Sequence, residues 1–547
     1  MITPASDAPS LASFMGAAPD LVDRLLEEQR TLTAVDRFSA RHDAGLPDQA
    51  AYYKELLPLR EPAPGEQFGF EVDLDRCSGC KACVTACHSL NGLDDGETWR
   101  AVGLIHEAKA RPVQQHVTTA CHHCAEPGCL QGCPVLAYEK DTVTGIVTHL
   151  DDQCIGCQYC ILKCPYDVPQ YHEKKGIVRK CDMCVGRLRA GEAPACVQAC
   201  PTQAIRITIV DLEAIRRDAD GSFNLPGSPD AAITLPTTRY VSPRGLAPGL
   251  VPVNAAQVRA EHAHWPLVLM LTASQAAAGY WITEALLRFF VLPESASSAP
   301  RVEILGFAAV LFSLNLSLFH LGRPLLAWKA FLGWRRSWLS REVIAFSALA
   351  GTTAAGAAAA GAALFSITLP TVLSTAIRIA ILIAAAAAIY ASAMVYRDTP
   401  RPLWATRLTL WRFSLTAALG GIPAWMAAAA PGAGLSRALF AAIPLLFLAK
   451  LYLETRVFRH AEDEDFGPLW KTVQLLRGPL GLVWRLRLLA GIAGGLVLPL
   501  LAAAWGAGAM TLAWSASIFV LILAGELAER YLFFTTGVAP RMPGGRT

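Results

Sequence analysis

Sixteen cysteines fall between residues 77 and 200, in four groups of four with none left over. In CSGCKACVTAC, Cys77, Cys80, Cys83 and Cys87 follow a C-x2-C-x2-C-x3-C spacing, and CIGCQYCILKCP repeats it at Cys154, Cys157, Cys160 and Cys164 with a trailing proline. CHHCAEPGCLQGCP widens the middle gap at Cys121, Cys124, Cys129 and Cys133; CDMCVGRLRAGEAPACVQACP widens it further at Cys181, Cys184, Cys196 and Cys200. Three closely spaced thiolates can grip three irons of one cubane, while a fourth, carried off by the next turn, reaches the neighbouring cluster. Four groups therefore predict four [4Fe-4S] clusters. Structural zinc is the main alternative, but zinc sites pair two short knuckles and have no use for a third and fourth cysteine at this spacing. A disulfide framework suits small secreted domains and is weaker still.

These thiols must be held by short elements. FGFEVDL, GIVTHL and AIRITIV read as strands beside the cysteine turns, which fits an α+β ferredoxin-like head made of two double-cluster modules. Groups one and four are expected to share one pair of clusters, and groups two and three the other. Lys81, Lys163, Arg179 and Lys180 lie close to ligands and could offset cluster charge, although solvent exposure explains such residues more simply. The head is placed at residues 67–210, after an N-terminal extension (1–66) in which PDLVDRLLEEQ predicts an amphipathic helix wrapping the head. Residues 211–264, rich in Pro and Gly, read as a linker or tether.

Beyond residue 264 the composition changes. The chain of 547 residues is 53% hydrophobic with a mean hydropathy of +0.35, and no cysteine occurs in its second half. Eight apolar segments are long enough to cross a bilayer, near 265–290, 303–323, 341–365, 371–396, 408–430, 437–458, 482–505 and 510–534. They predict an all-α polytopic membrane domain of eight transmembrane helices over 265–537, with a tail at 538–547. An even count puts head and C-terminus on one side. Head-side loops carry Arg323, Lys329, Arg335 and Arg336, then Arg397, Arg401, Arg407 and Arg412, whereas far-side loops supply only Arg301 and Arg437. The positive-inside rule then puts the head in the cytoplasm, at the inner membrane of the cell. MITPASDAPSLASF has neither a basic start with an apolar stretch nor a twin-arginine leader, so export through a leader of its own is not expected. A formal charge of +3 without a basic aromatic face argues against nucleic acid.

Polar residues inside apolar helices are expensive and mark function. His320 ends the second span in FHLGRP, Arg341 and Glu342 open the third in SWLSRE, and Glu526, Glu529 and Arg530 approach the end of the eighth in AGELAERYLFF. Glu454 stands at the corresponding end of the sixth. All fall on the head side, where a quinol surrendering electrons must also surrender protons. His320, Arg341, Glu342 and Glu526 are therefore the candidate quinone-binding residues; for Arg341, Glu454 and Arg530 a plain ion pair or snorkelling is the stronger reading. The spans contain no histidine pattern for a haem b. The far-side half offers almost no acid, which weakens the rival idea of a cluster-driven ion-translocating subunit. An oxygen-sensing protein would need neither eight helices nor four clusters.

The four cysteine groups resemble the electron-transfer subunit of the dimethyl sulfoxide reductase family of complex iron-sulfur molybdoenzymes, and HLGRP, SWLSRE, TPRPLW and AGELAERYLFF resemble that family's membrane anchor. The resemblance covers about residues 67–210 and 265–537. It implies two subunits fused in one polypeptide, quinol binding at His320, and a separate molybdopterin catalytic subunit as partner. Family members that reduce dimethyl sulfoxide have an exported head, whereas a branch that oxidises sulfite on the cytoplasmic side fits these loop charges better.

Overall fold

The computed structural model describes residues 53–107, 113–218, 225–292, 300–367, 369–505 and 510–543, with Leu21, Asp36, Ser39 and Ala40. The amphipathic helix expected in PDLVDRLLEEQ lies outside the described residues, Leu21 apart.

The head contains ten short strands: β1 (Glu66–Asp73), β2 (Ala101–Glu107), β3 (Val113–Thr119), β4 (Tyr138–Lys140), β5 (Val147–His149), β6 (Gln170–His172), β7 (Ile177–Arg179), β8 (Ile205–Asp211), β9 (Arg239–Val241) and β10 (Val251–Pro252). β1 runs antiparallel to β8, from Glu66↔Asp211 to Val72↔Ile205, and parallel to β9. β2 lies between β10 and β3, and β4-β5 and β6-β7 are separate hairpins. The alternation in β1 and β8 buries Phe70, Val72, Ile205 and Ile207 in one core. Helices are short, because cysteines and their turns interrupt them: α1 (Ala82–Leu90), α2 (Gly128–Gly132), α3 (Tyr159–Lys163), α4 (Val185–Arg189), α5 (Ala195–Gln198) and α6 (Leu212–Arg217).

The stretch read as a tether is instead built into the head. It supplies β9 and β10, and the buried Thr237 hydroxyl donates to the carbonyl of His122 at 2.8 Å. The C-terminal segment also returns: Met542 is buried in the head core, and Arg541 bonds both carboxylate oxygens of Glu261 at 3.0 Å.

The second half is a helical bundle of α7 (Trp265–Phe290), α8 (Pro300–Leu316, prolonged by a tight turn Ser317–His320), α9 (Trp338–Ala363), α10 (Thr371–Arg397), α11 (Leu408–Ala429), α12 (Ala433–Thr455), the short α13 (Pro468–Arg477), α14 (Gly481–Trp505) and α15 (Thr511–Thr535). Six of these, α8, α9, α10, α12, α14 and α15, are long and apolar enough to cross a membrane. α7 and α11 match two further expected spans in position but are less apolar. The reason is their place in the bundle. They pack on each other, where a Cβ on Gly421 would fall 2.6 Å from the Gly279 carbonyl oxygen, and bury Thr272, Ser274, Gln275, Glu284, Thr409 and Thr416. Interior helices face protein, so close backbone approach and polar contacts replace apolar bulk.

Head and bundle meet along a polar seam. The Arg323 guanidinium donates to the carbonyl of Asp151 at 2.7 Å, the Ser337 hydroxyl to that of Gly132 at 2.7 Å, and the Tyr159 hydroxyl to that of Val395 at 2.8 Å. Lys163, a residue close to a ligand, pairs with Asp398 of the bundle at 2.8 Å. Gly322 of HLGRP lies against Gly156 and Gly176 so closely that a Cβ on it would stand 2.6 Å from the Gly176 Cα. Gly322→Val is therefore expected to cost about 1–3 kcal/mol in thermal unfolding of the purified protein, as overpacking does. A wild-type melting temperature would show that the seam can open without penalty.

Candidate functional site

The head's turns gather the sixteen cysteines into four sets, each drawn from two groups. Cys77, Cys80, Cys83 and Cys200 line one cavity with Val102, Thr118 and Ile205. Cys121, Cys124, Cys129 and Cys164 line a second with His122, Tyr166, Lys180 and Thr234. Electrostatically, Cys181 feels Cys121 of that cavity and then Cys87 and Cys184, and Cys87 feels Cys196 and Cys184, so that Cys87, Cys181, Cys184 and Cys196 group as another set beside it. Cys133, Cys154 and Cys157 act likewise on Cys160, which defines the last. Each donated cysteine is the final one of its group, because the turn after the C-x3 helix points it away from its own three partners.

The sets follow one another through the head. Cys80 is exposed at one end. The buried guanidinium of Arg100 faces Cys83 of that set and Cys87, Cys181 and Cys196 of the next. Lys180 lines the Cys121 cavity and donates to the carbonyl of Cys181 at 2.9 Å, joining the second and third positions. Tyr138 lies among Cys129, Cys133 and Cys160, joining the third and fourth.

Most of these thiols are shielded from water. Burial pushes Cys87, Cys124 and Cys129 up to about 12, and Cys133 and Cys184 to about 11. Thiols so placed become thiolates only when a cationic group compensates them. Among the described residues no three His, Cys, Asp or Glu side chains close on a single ion; two of the sets line cavities outright. That arrangement fits a group with several metal corners rather than one ion bound at about 2.3 Å.

At the inner end the set containing Cys157 opens on the bundle. Ile155, Cys157, Tyr159 and Leu162 of the head form one wall of a cleft of about 290 Å³, completed by His320, Trp328, Phe331, Glu342, Phe346 and Tyr396. His320 Nδ1 and Glu342 Oε1 are buried without a well-formed hydrogen bond, with the Ser317 backbone and the Ser392 hydroxyl as polar neighbours of the two side chains. Unsatisfied buried polar atoms in an apolar cleft call for a ligand that bonds them.

The structure brings His320 and Glu342 together and leaves Arg341 and Glu526 elsewhere. Arg341 donates to the carbonyls of Trp334 and Arg335 at 3.0 and 2.9 Å and stacks on Trp338. Glu526 belongs to a buried network with Lys450, Arg487 and Thr416, next to Glu454, Glu529, Arg412 and Arg530. Both were expected from their head-side depth alone, which does not say toward which neighbour a side chain turns. Arg179 is occupied by Glu97 at 2.7 Å. Tyr159, Trp328, Phe331 and Tyr396 were missed at the cleft; an aromatic within CIGCQYC and others after HLGRP were the available signal. The far-side half is also less acid-poor than expected, for Glu284 and Glu303 are buried near that end of α7 and α8. Between Gln275 and Glu284 the run Ala276–Gly279 is packed against α11.

A head of cysteine sets seated on an apolar helical bundle defines a membrane-anchored iron-sulfur electron-transfer protein. The chain belongs to the family of DMSO reductase anchor subunits (DmsC), whose model matches residues 259–536, and residues 113–210 match the 4Fe-4S dicluster domain family. It is similar to the B subunit of the anaerobic dimethyl sulfoxide reductase of Haemophilus influenzae, 38% identical over 159 residues, which are 27% of this chain and 76% of the relative. The Escherichia coli counterpart is 36% identical over 157 residues, 26% of this chain and 75% of the relative. The formate dehydrogenase iron-sulfur subunit of H. influenzae is 37% identical over 186 residues, 28% and 60% of the two chains. Iron-sulfur subunit and membrane anchor are thus fused in one polypeptide that transfers electrons and is anchored at the membrane.

Proposed function

We propose that the four thiol sets hold four [4Fe-4S] clusters and that the His320 cleft binds a quinone or quinol, so that the chain links the membrane quinone pool to a separate molybdopterin catalytic subunit of the dimethyl sulfoxide reductase or sulfite dehydrogenase kind. The clusters would supply one-electron relays between a two-electron organic substrate and the partner. The observation that supports this most is the shared cleft: Cys157 of the innermost set and the unsatisfied atoms of His320 and Glu342 line one apolar space.

The residues divide the work. Trp328, Phe331 and Phe346 supply flat apolar walls for a quinone ring, and His320 and Glu342 bond its oxygens and accept protons as a quinol is oxidised. Tyr159, held to Val395, fixes the distance between cleft and innermost set. At the other end, the exposed Cys80 marks the face for the catalytic partner. The similar proteins are subunits of dimethyl sulfoxide reductase and of formate dehydrogenase, and both are consistent with such a partner. All eight long helices cross the bilayer in this reading, with α7 and α11 at the bundle centre, and the arginine-rich loops hold the head on the cytoplasmic side.

The test is direct. Purified under reducing conditions, the chain should contain about sixteen irons, and a short-chain quinol should reduce its clusters as followed by EPR. Cys157→Ser should remove the innermost cluster, about four irons, and stop quinol from reducing the others. Quinol reduction that survives in Cys157→Ser would refute the proposed entry point.

A further inference from the structure

Arg100 precedes β2 in the head and is 2% exposed. Its guanidinium lies 4.7 Å from the centroid of the Phe70 ring. One nitrogen donates to the Thr118 hydroxyl at 3.2 Å, and that hydroxyl lies 3.6 Å from Cys83 Sγ. Nε and the second terminal nitrogen are buried with no hydrogen-bond partner, and among the described residues no carboxylate pairs with them. A buried charge without a counter-charge is costly. What surrounds this one is sulfur: Cys83 from the outermost set, and Cys87, Cys181 and Cys196 from the next. Those four thiol positions, and no carboxylate among the described residues, are what stands ready to balance the charge.

Other cations near the thiols are differently placed. Lys180, equally buried, stands between the second and third positions, faces Cys121, Cys129 and Cys181, and donates to the carbonyls of Val147 and Cys181. Lys163, nearer the membrane, is paired with Asp398. Arg187 is paired with Glu192 at 2.7 Å. Arg100 is thus the buried guanidinium shared by the outer two sets, while Lys180 and Lys140 stand beside the Cys121 set.

We propose that Arg100 is a potential-setting residue: its fixed charge, shared between the Cys77/Cys80/Cys83/Cys200 and Cys87/Cys181/Cys184/Cys196 sets, raises the reduction potentials of the two clusters held there above the values they would have without it. This rests on the four-cluster reading. Each cluster takes up one electron and no proton on reduction, so the reduced form carries one more negative charge. A nearby cation in a medium of low dielectric stabilises that form more than the oxidised one. The consequence is that an electron delivered at the His320 cleft is held more firmly at the partner-facing end than it would be without that charge.

The experiment is an EPR-monitored redox titration of the purified, cluster-loaded chain with dithionite and ferricyanide. Four one-electron centres are expected in the wild type, and the two lost in Cys83→Ser and Cys184→Ser identify the outer pair. In Arg100→Gln those two midpoints should move to lower potential while the other two stay, and Arg100→Lys should restore most of the shift. Four centres unmoved by Arg100→Gln would overturn the inference alone. If Arg100→Gln fails to load iron, Arg100→Met is titrated in its place, and outer-pair midpoints unmoved in that variant would overturn it. Fewer than four centres in the wild type would overturn the four-cluster reading, and this inference with it.

Discussion

His320→Ala is expected to lower quinol oxidation about a hundredfold or more, the range over which a positioned proton acceptor acts, while iron content and the EPR spectra of the oxidised and reduced clusters stay at wild-type values. The expectation follows from what the imidazole does in the cleft. It ends α8, its Nδ1 has no well-formed hydrogen bond within the protein, and the opposite wall is made by Cys157 and Tyr159. A quinol hydroxyl bonded there would lose its proton to a neighbouring base as its electron leaves toward the innermost thiol set. Alanine removes both the bond and the base but none of the seam contacts made by Arg323, Ser337 and Tyr159. Glu342→Gln should act in the same direction with a smaller effect, because it keeps the hydrogen bond and loses only the base. Quinol-driven cluster reduction at the wild-type rate in His320→Ala would remove this residue from the site.

The second large effect concerns stability. Lys450 is fully buried in α12; it donates to the Thr416 hydroxyl at 2.5 Å and pairs with Glu526, while Glu454 and Glu529 each lie at 3.8 Å. Arg487 bonds Glu454 and Glu526 at 3.0 and 3.2 Å, and Arg412 bonds Glu529 at 2.5 Å. These charges tie α11, α12, α14 and α15 together where no water can replace a lost partner. Lys450→Met fills the space but leaves Glu526 short of its closest cation, so a destabilisation of about 3–5 kcal/mol is expected in thermal unfolding in detergent. Adding Glu526→Gln removes the stranded charge and should recover a substantial part of the loss. Equal stability of Lys450→Met and wild type would show that the network contributes nothing to holding these helices together.

How much could be read from the chain alone differed between its halves. The C-x2-C-x2-C-x3-C runs carry their chemistry in local spacing, because a turn of three residues sets where the next thiol points; HLGRP and SWLSRE likewise marked the cleft through His320 and Glu342. Arg341 and Glu526 were not separable from these by depth in the bilayer. Each turns to a neighbour supplied by another segment, Arg341 to the carbonyls before α9 and Glu526 to Lys450 and Arg487. Hydropathy told where helices lie and treated all eight alike; that α7 and α11 are less apolar emerged with their place in the bundle, since a helix buried among other helices is free to be polar. The Pro- and Gly-rich stretch before α7 read as a tether because β9 and β10 are too short to show a period of two.

The sixteen cysteines, their four groups and the long apolar segments were determined by the sequence by itself, because covalent spacing and helical length act over a few residues. Only the tertiary structure decided the rest. It sets the order of the thiol sets from the exposed Cys80 to the membrane-facing Cys157, places Arg100 between the outer two, and seats the innermost set on the His320 cleft. Those relations join residues that lie far apart in the chain, and packing across the Gly156, Gly176 and Gly322 seam brings them together.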